Sequence, residues 1–143
     1  DIVGKGSQKN ELQDLSVKNN VRVNFLKNIE NKNLIKLYSD YKYFISSSLY
    51  EGHPKTVLEA MHSGCIVFLS DITNHAELVD HGVDGYLYDL KKDNLKELFK
   101  ETISNEGVLK NISQNARLKM ERKFSLEKAV TIEFEDYKNT INL

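Results

Sequence analysis

The chain has 143 residues, 40% of them hydrophobic and 29% charged, which is typical of one soluble globular domain with one hydrophobic core. Its net charge of −1 provides no field that would attract nucleic acid or an acidic membrane, and no apolar run has the length of a membrane span. Cys65 is the only cysteine, so no intrachain disulfide can form. A reducing, cytoplasmic setting fits this composition, with Cys65 as a small buried residue at a strand start.

Strand-like and helix-like patterns alternate from the start of the chain to residue 88. Alternating apolar residues predict strands, and apolar residues three or four apart predict helices. The first predicted elements are a strand end at Ile2–Val3, a helix over 8–15 with Ser7 as N-cap, a strand over 21–25 and a helix around 34–38. A short buried strand at 43–45, a helix over 54–62 that ends before Gly64, a strand at 66–69, a short helix at 76–79 capped by Asn74 and a strand at 85–88 follow.

After residue 88 the pattern is only helical, over 93–103, 108–122 and 125–141, the last with Ser125 as N-cap. Because strands and helices alternate before this point, we predict an α/β fold with a parallel sheet covered on both faces. Ligands of such sheets bind beyond the carboxyl ends of the strands. The candidate site therefore lies in the loops that follow Val3, Phe25, Ile45 and Leu69.

The most informative of these loops follows Ile45 and leads into the helix at Pro54. The first turn of a helix has N–H groups without intrahelical partners at its positive end, so it attracts phosphate. Pro54 has no N–H, and the useful amides are those of Gly52, His53, Lys55 and Thr56. Glu51 precedes the helix and Glu59 lies about 7–8 Å along its axis. Both carboxylates can accept hydrogen bonds from sugar hydroxyls on either side of a bound diphosphate.

Glu51 and Glu59 are separated by seven residues, and four further segments accompany the pair in a fixed order. They are Gly4-Lys5-Gly6, a V-x-F and L-x-x-L-Y segment over 21–38, E-A-M-x-x-G-x-x-V at 59–67 and E-x-V-x-x-G-x-x-G-x-L at 77–87. This set resembles the retaining GT-B glycosyltransferases of the E-x7-E family (family 4, or group 1) from residue 2 to about residue 90. The sequence departs from that family at Lys27, usually glycine, at Ile66, usually proline, and over 73–76, which lacks the common glycines.

The resemblance implies a fold and a set of roles. The fold would be a Rossmann-like doubly wound parallel sheet, the C-terminal half of a GT-B enzyme. Residues 1–143 would form a partial nucleotide-sugar-binding domain that lacks its first strand, which leaves a gap or an exposed edge in the sheet. Glu51 would be the catalytic residue that contacts the transferred sugar, and Glu59 would hold the ribose. The other implied donor contacts are Gly52, His53, Lys55, Thr56, Gly4, Gly6, Lys27, Asn28 and Ile29.

The implied activity is transfer of a hexosyl unit, with retention, from a nucleoside diphosphate sugar to a hydroxyl acceptor in bacterial cell-surface polysaccharide biosynthesis. A UDP-sugar is the expected donor, and neither a metal nor another cofactor is expected. A missing N-terminal domain would hold a glycan or lipid-linked acceptor, so the fragment alone would be inactive. The expected location is the cytoplasm, at the inner face of the membrane. We also expect peripheral membrane association and self-association through the exposed sheet edge. We expect no nucleic-acid partner.

Other interpretations of the same residues stay open from sequence. The chain could be a nucleotide-binding or interaction module without turnover, or a related GT-B enzyme such as a nucleotide-sugar epimerase or a glycan phosphorylase. Glu59 could be a solvent-facing helix residue. Glu51 could have no role beyond a favourable interaction with the positive end of the helix dipole. Ser46, Ser47 and Ser48 could line the site or make loop hydrogen bonds. We expect surface or capping roles for His62, His75 and His81, and either a sugar contact or simple exposure for His53.

Overall fold

A computed structural model of the chain describes residues 1–27, 29–124 and 138. The chain divides into two compact units, Asp1–Leu37 and Tyr38–Leu143. Both units contain parallel strands joined by helices, which confirms the predicted α/β class. Within the described part of the chain, none of the helices combines the length and apolar character needed to cross a membrane. The helix predicted over 125–141, with Ser125 as its cap, lies outside the described residues.

The first unit contains β1 (Ile2–Val3), α1 (Lys9–Lys18), β2 (Phe25–Leu26) and all of α2 (Asn31–Tyr38) except its last residue. The two strands pair in parallel, with Ile2 opposite Phe25.

Two predictions for the first unit are wrong in detail. Strand structure begins only at Phe25, not at Val21, because the Val21 N–H donates to the Ser16 carbonyl of α1 instead of a strand neighbour. Ser7 is not the N-cap of α1, since Gln8 occupies that position without a side-chain capping bond.

The second unit is built on a parallel sheet of β3 (Tyr43–Ser46), β4 (Ile66–Ser70) and β5 (Tyr86–Tyr88), paired in that order. Helices α3 (Lys55–Ser63), α4 (Thr73–Leu78), α5 (Leu95–Ile103) and α6 (Glu106–Phe124) connect or follow these strands. All five residues of β4 are buried, because it is the central strand of this sheet. β3 was predicted to be buried, but its Ile45 is 51% exposed, since β3 has a strand partner on only one side among the described residues.

The described strands therefore form two separate sheets, ordered β1-β2 and β3-β4-β5.

Aromatic rings dominate the core of the second unit. The Phe68 ring of β4 stacks on Tyr86 with a centroid distance of 4.9 Å and packs against Phe99 of α5. Leu109 and Ile112 of α6 close the same cluster. Tyr38, Tyr86 and Tyr88 are buried, whereas Tyr41 is exposed. Cys65 is buried as predicted, and burial raises the pKa of its thiol.

Two glycines fix how α3 and β5 join the sheet. Gly64 ends α3 in the left-handed conformation, with φ of 90°, as predicted from its position. Gly85 precedes β5, where a Cβ atom would lie 2.6 Å from Val67 Cγ2 and 2.8 Å from Val79 Cγ1. The sheet and the segment after α4 can approach this closely only because residue 85 has no side chain.

We expect Gly85→Ala to lower the free energy of unfolding by about 1.5 kcal/mol, because the added methyl group overpacks a closed core. Chemical denaturation of the two proteins measures this difference. Gly107→Ala is the matched control, since a Cβ there meets no atom closer than 3.6 Å and the residue lies in α6. The control should leave stability unchanged or raise it by about 0.5 kcal/mol. Equal stabilities of the two variants would contradict the packing argument.

Candidate functional site

The loop at 47–54 leaves the carboxyl end of β3 and enters α3, where the ligand site was predicted. Among the described residues, the backbone N–H groups of Gly52, His53 and Thr56 have no hydrogen-bond acceptor. The Lys55 N–H does have one, since it donates to the His53 carbonyl at 2.8 Å, which corrects the prediction for this amide. Pro54 occupies the N-cap position of α3 rather than its first turn. Three free amides thus remain beside the start of the helix.

Glu51 is half-buried in this loop and its carboxylate is oriented by a serine. Ser48 Oγ donates to Glu51 Oε1 at 2.6 Å, and Ser46 Oγ lies 3.2 Å from Ser48 Oγ. The distance to the carboxylate is short, as expected when the acceptor is charged. Ser46 and Ser48 therefore make hydrogen bonds at this end of the loop, which is one of the two interpretations open for the serines.

Glu59 lies in the second turn of α3, and its side chain is 13% exposed. Lys55 Nζ is 3.7 Å from Glu59 Oε1, but the Lys55 side chain is 69% exposed, so water weakens this ion pair. Burial and then the nearby Glu59 charge raise the pKa of Tyr38 to about 12. Glu59 is thus a largely enclosed carboxylate, unlike the solvent-facing helix residue of the alternative interpretation.

Two residues of α4 have hydrogen-bond partners that the sequence did not indicate. Asn74 was predicted to cap α4, but Ile72 holds the N-cap position, and Asn74 Nδ2 donates to the Gly52 carbonyl at 2.8 Å. His75 was predicted to have a surface or capping role, but it is completely buried. Its Nδ1 lies 2.8 Å from the Ser70 carbonyl at the end of β4.

The remaining predicted site residues lie in the other unit, Asp1–Leu37. Gly4 and Gly6 are exposed, and the Gly4 N–H donates to the Leu26 carbonyl at 3.1 Å. Gly4 has a φ of 135°, a conformation that favours glycine. Lys27 is exposed and Ile29 is half-buried, whereas Asn28 lies outside the described residues. Glu51, Gly52, His53, Lys55, Thr56 and Glu59 are the predicted residues that one loop and one helix hold together.

Comparison with known proteins identifies relatives of this chain. Residues 1–119 match the family of glycosyl transferases group 1. The chain is 32% identical, over 88 residues, to the GtfA subunit of the UDP-N-acetylglucosamine–peptide N-acetylglucosaminyltransferase of Streptococcus agalactiae, covering 61% of this chain and 17% of that protein. It is 30% identical, over 134 residues, to the UDP-Gal:α-D-GlcNAc-diphosphoundecaprenol α-1,3-galactosyltransferase of Escherichia coli, covering 90% of this chain and 34% of that protein.

The fold has close counterparts among solved structures. The structure of Anabaena Alr3699/HepE in complex with UDP-glucose aligns with a TM-score of 0.82 at 24% identity, covering 99% of this chain and 40% of that one. At this identity the likeness shows the fold alone, and it confirms the predicted Rossmann-like arrangement. The chain spans about a third or less of the length of the two curated relatives. The family match covers most of the chain, and the chain belongs to the glycosyl transferases group 1 family.

Proposed function

We propose that the chain binds a nucleoside diphosphate sugar and serves the transfer of its glycosyl unit, with retention, to a hydroxyl acceptor. Family membership supports this proposal. UDP is the proposed nucleotide, because two relatives are named for UDP-sugar donors and the Anabaena structure contains UDP-glucose. A lipid-linked glycan in cell-surface polysaccharide synthesis, at the inner face of the membrane, is the proposed acceptor. The Escherichia coli relative, named for a diphosphoundecaprenol acceptor, supports this choice.

The observation that carries the proposal is the placement of two carboxylates around free amides at the start of α3. The amides of Gly52, His53 and Thr56 offer three donors to a diphosphate, and the helix dipole adds to their attraction. Glu59, in the second turn of the helix, is the proposed acceptor for the ribose hydroxyls. Glu51, in the loop before the helix, is the proposed acceptor for hydroxyls of the sugar.

These groups can assist transfer by orientation and electrostatics. The bond between the anomeric carbon and the diphosphate oxygen breaks as the acceptor oxygen bonds to that carbon, so negative charge grows on the leaving diphosphate. The acceptor hydroxyl gives up its proton in this step, and the departing diphosphate oxygen can take it. Fixed N–H donors beside the phosphate stabilise that charge without having to reorganise. Holding the sugar through Glu51 limits its orientation relative to the acceptor. We propose that neither a metal nor an organic cofactor takes part.

Calorimetric titration of the protein with UDP, GDP and ADP, with and without EDTA, tests the proposed donor class. We expect UDP to bind more tightly than GDP or ADP, with the same dissociation constant in the presence of EDTA. Loss of binding in EDTA would contradict metal independence. Preference for GDP or ADP would contradict the proposed base, and no binding of any of the three by folded protein would contradict the proposed function.

A further inference from the structure

A chain of hydrogen bonds runs from the buried end of β4 to the carboxylate of Glu51. Ser70 is completely buried, and its hydroxyl donates to the Ser48 carbonyl at 2.6 Å. The Ser70 carbonyl lies 2.8 Å from Nδ1 of the buried His75. Because a carbonyl only accepts, Nδ1 carries the hydrogen and donates it to Ser70. The anchor of the chain is therefore a fully buried pair on β4 and α4.

The direction of each bond shows what Ser48 can do. Ser70 uses its only hydroxyl hydrogen on the Ser48 carbonyl, which fixes the backbone of Ser48. Ser48 uses its own hydroxyl hydrogen on Glu51 Oε1, because a carboxylate cannot donate. Ser46 Oγ, 3.2 Å away, is then the donor to Ser48 Oγ. Ser48 is thus held through its main chain and holds Glu51 through its side chain.

The loop is also fixed on the other side of Glu51, where Asn74 donates to the Gly52 carbonyl. With Oε1 bonded to Ser48, the second oxygen of Glu51, Oε2, has no partner within the described part of the chain. The geometry leaves one oxygen of a half-buried carboxylate oriented and available. Leu49 and Tyr50, which lie between Ser48 and Glu51 in sequence, are more than 80% exposed and contribute little to this orientation.

We propose that Ser48 is a positioning residue that orients Glu51 toward the sugar of the bound donor, an inference that rests on the proposed function. Its hydroxyl does not contact the donor and acts only through Glu51. Without it, the Glu51 side chain regains rotamer freedom and must be ordered when the sugar binds. The loss of affinity is confined to contacts with the sugar, because the amides at the start of α3 and Glu59 do not depend on the Ser48 hydroxyl.

The test compares Ser48→Ala with wild type in calorimetric titrations with UDP and with UDP-glucose, UDP-galactose and UDP-N-acetylglucosamine. We expect the affinity for the preferred UDP-sugar to fall about tenfold and the affinity for UDP to stay within about twofold. Ser48→Thr, which keeps a hydroxyl, should retain the preference. Adding Ser48→Ala to Glu51→Ala should cause no further loss. Ser113→Ala is the matched control, since that hydroxyl donates to the Gly64 carbonyl at 2.7 Å, beyond the far end of α3.

The outcomes separate this inference from the proposed function. If Ser48→Ala keeps the wild-type preference for the UDP-sugar, or loses affinity for UDP and UDP-sugar equally, the positioning role is wrong and the nucleotide site stands. If wild type binds UDP but prefers none of the three UDP-sugars, the sugar role of Glu51 fails together with that of Ser48. If wild type binds none of these ligands, the proposed function itself is wrong.

Discussion

Replacing Lys119 with methionine should lower the free energy of unfolding by about 3 kcal/mol. Lys119 Nζ lies 2.7 Å from Asp84 Oδ2 and 2.9 Å from Asp80 Oδ2, and the Asp84 side chain is only 4% exposed. Without the ammonium, Asp84 would be a buried carboxylate whose remaining partner is the Asp80 N–H at 2.8 Å. The expected loss of stability is the cost of leaving the buried Asp84 carboxylate without a positive partner. Denaturant unfolding of the two proteins measures it.

Lys92→Met is the matched control for this prediction. Lys92 pairs with Asp89 at 3.3 Å, but the Lys92 side chain is 76% exposed, so its loss should leave stability almost unchanged. The double variant Lys119→Met with Asp84→Asn should lose less than the single variant, because the buried carboxylate is then absent. Equal stabilities of Lys119→Met and Lys92→Met would contradict a structural role for the buried pair.

The difference between wild type and Lys119→Met should also depend on pH. Burial opposes the charged form, but hydrogen bonds and charges from Asp84 and Asp80 outweigh it and raise the pKa of Lys119 above 10.5. This contribution is present below pH 10.5 and is lost as the pH rises through the folded-state value. The hydrogen bond from Lys119 lowers the pKa of Asp80 below 3.8, so its smaller contribution is lost in acid. Unfolding curves from neutral pH to just below 10.5 should show a constant difference.

The element order of the second unit could be predicted because its patterns are strong and local. The apolar run that forms β4 and the glycine that ends α3 each have one structural interpretation. The strand predicted from Val21 failed because alternation of side chains does not show which groups the backbone will bond. There, the Val21 N–H closes the end of α1. The pair of Lys119 and Asp84 was not predictable, since 35 residues separate them in sequence.

In the candidate site, too, local patterns could be predicted from sequence and contacts between distant residues could not. Glu51 and Glu59 could be selected because their spacing and the adjacent helix start form a pattern in sequence. The hydrogen-bond partners of Asn74 and His75 could not be predicted, because they depend on how α4 packs in the folded chain. Asn74 before a short helix has the sequence of an N-cap, yet its amide reaches across to the loop. Side-chain partners distant in sequence depend on tertiary packing, which a single sequence does not show.

Glu59→Ala should weaken UDP binding by about 2 kcal/mol, or roughly thirtyfold, because the ribose hydroxyls lose a charged acceptor. The enclosed position of this carboxylate makes the loss larger than at a solvated surface, where water would replace it. Glu101→Ala, at an exposed position of α5, is the control and should leave the affinity unchanged. Calorimetric titration with UDP gives all three dissociation constants.

A second ligand shows whether the binding free energy lost in Glu59→Ala comes from contacts with the ribose hydroxyls. Wild type should bind 2′,3′-dideoxyuridine diphosphate less tightly than UDP, by about the same factor that Glu59→Ala loses for UDP. Glu59→Ala itself should bind the two nucleotides with nearly equal affinity, because the acceptor that distinguishes them is gone. If Glu59→Ala still prefers UDP by the wild-type factor, Glu59 does not hold the ribose. Its effect on affinity would then come through α3, whose first turn carries the free amides.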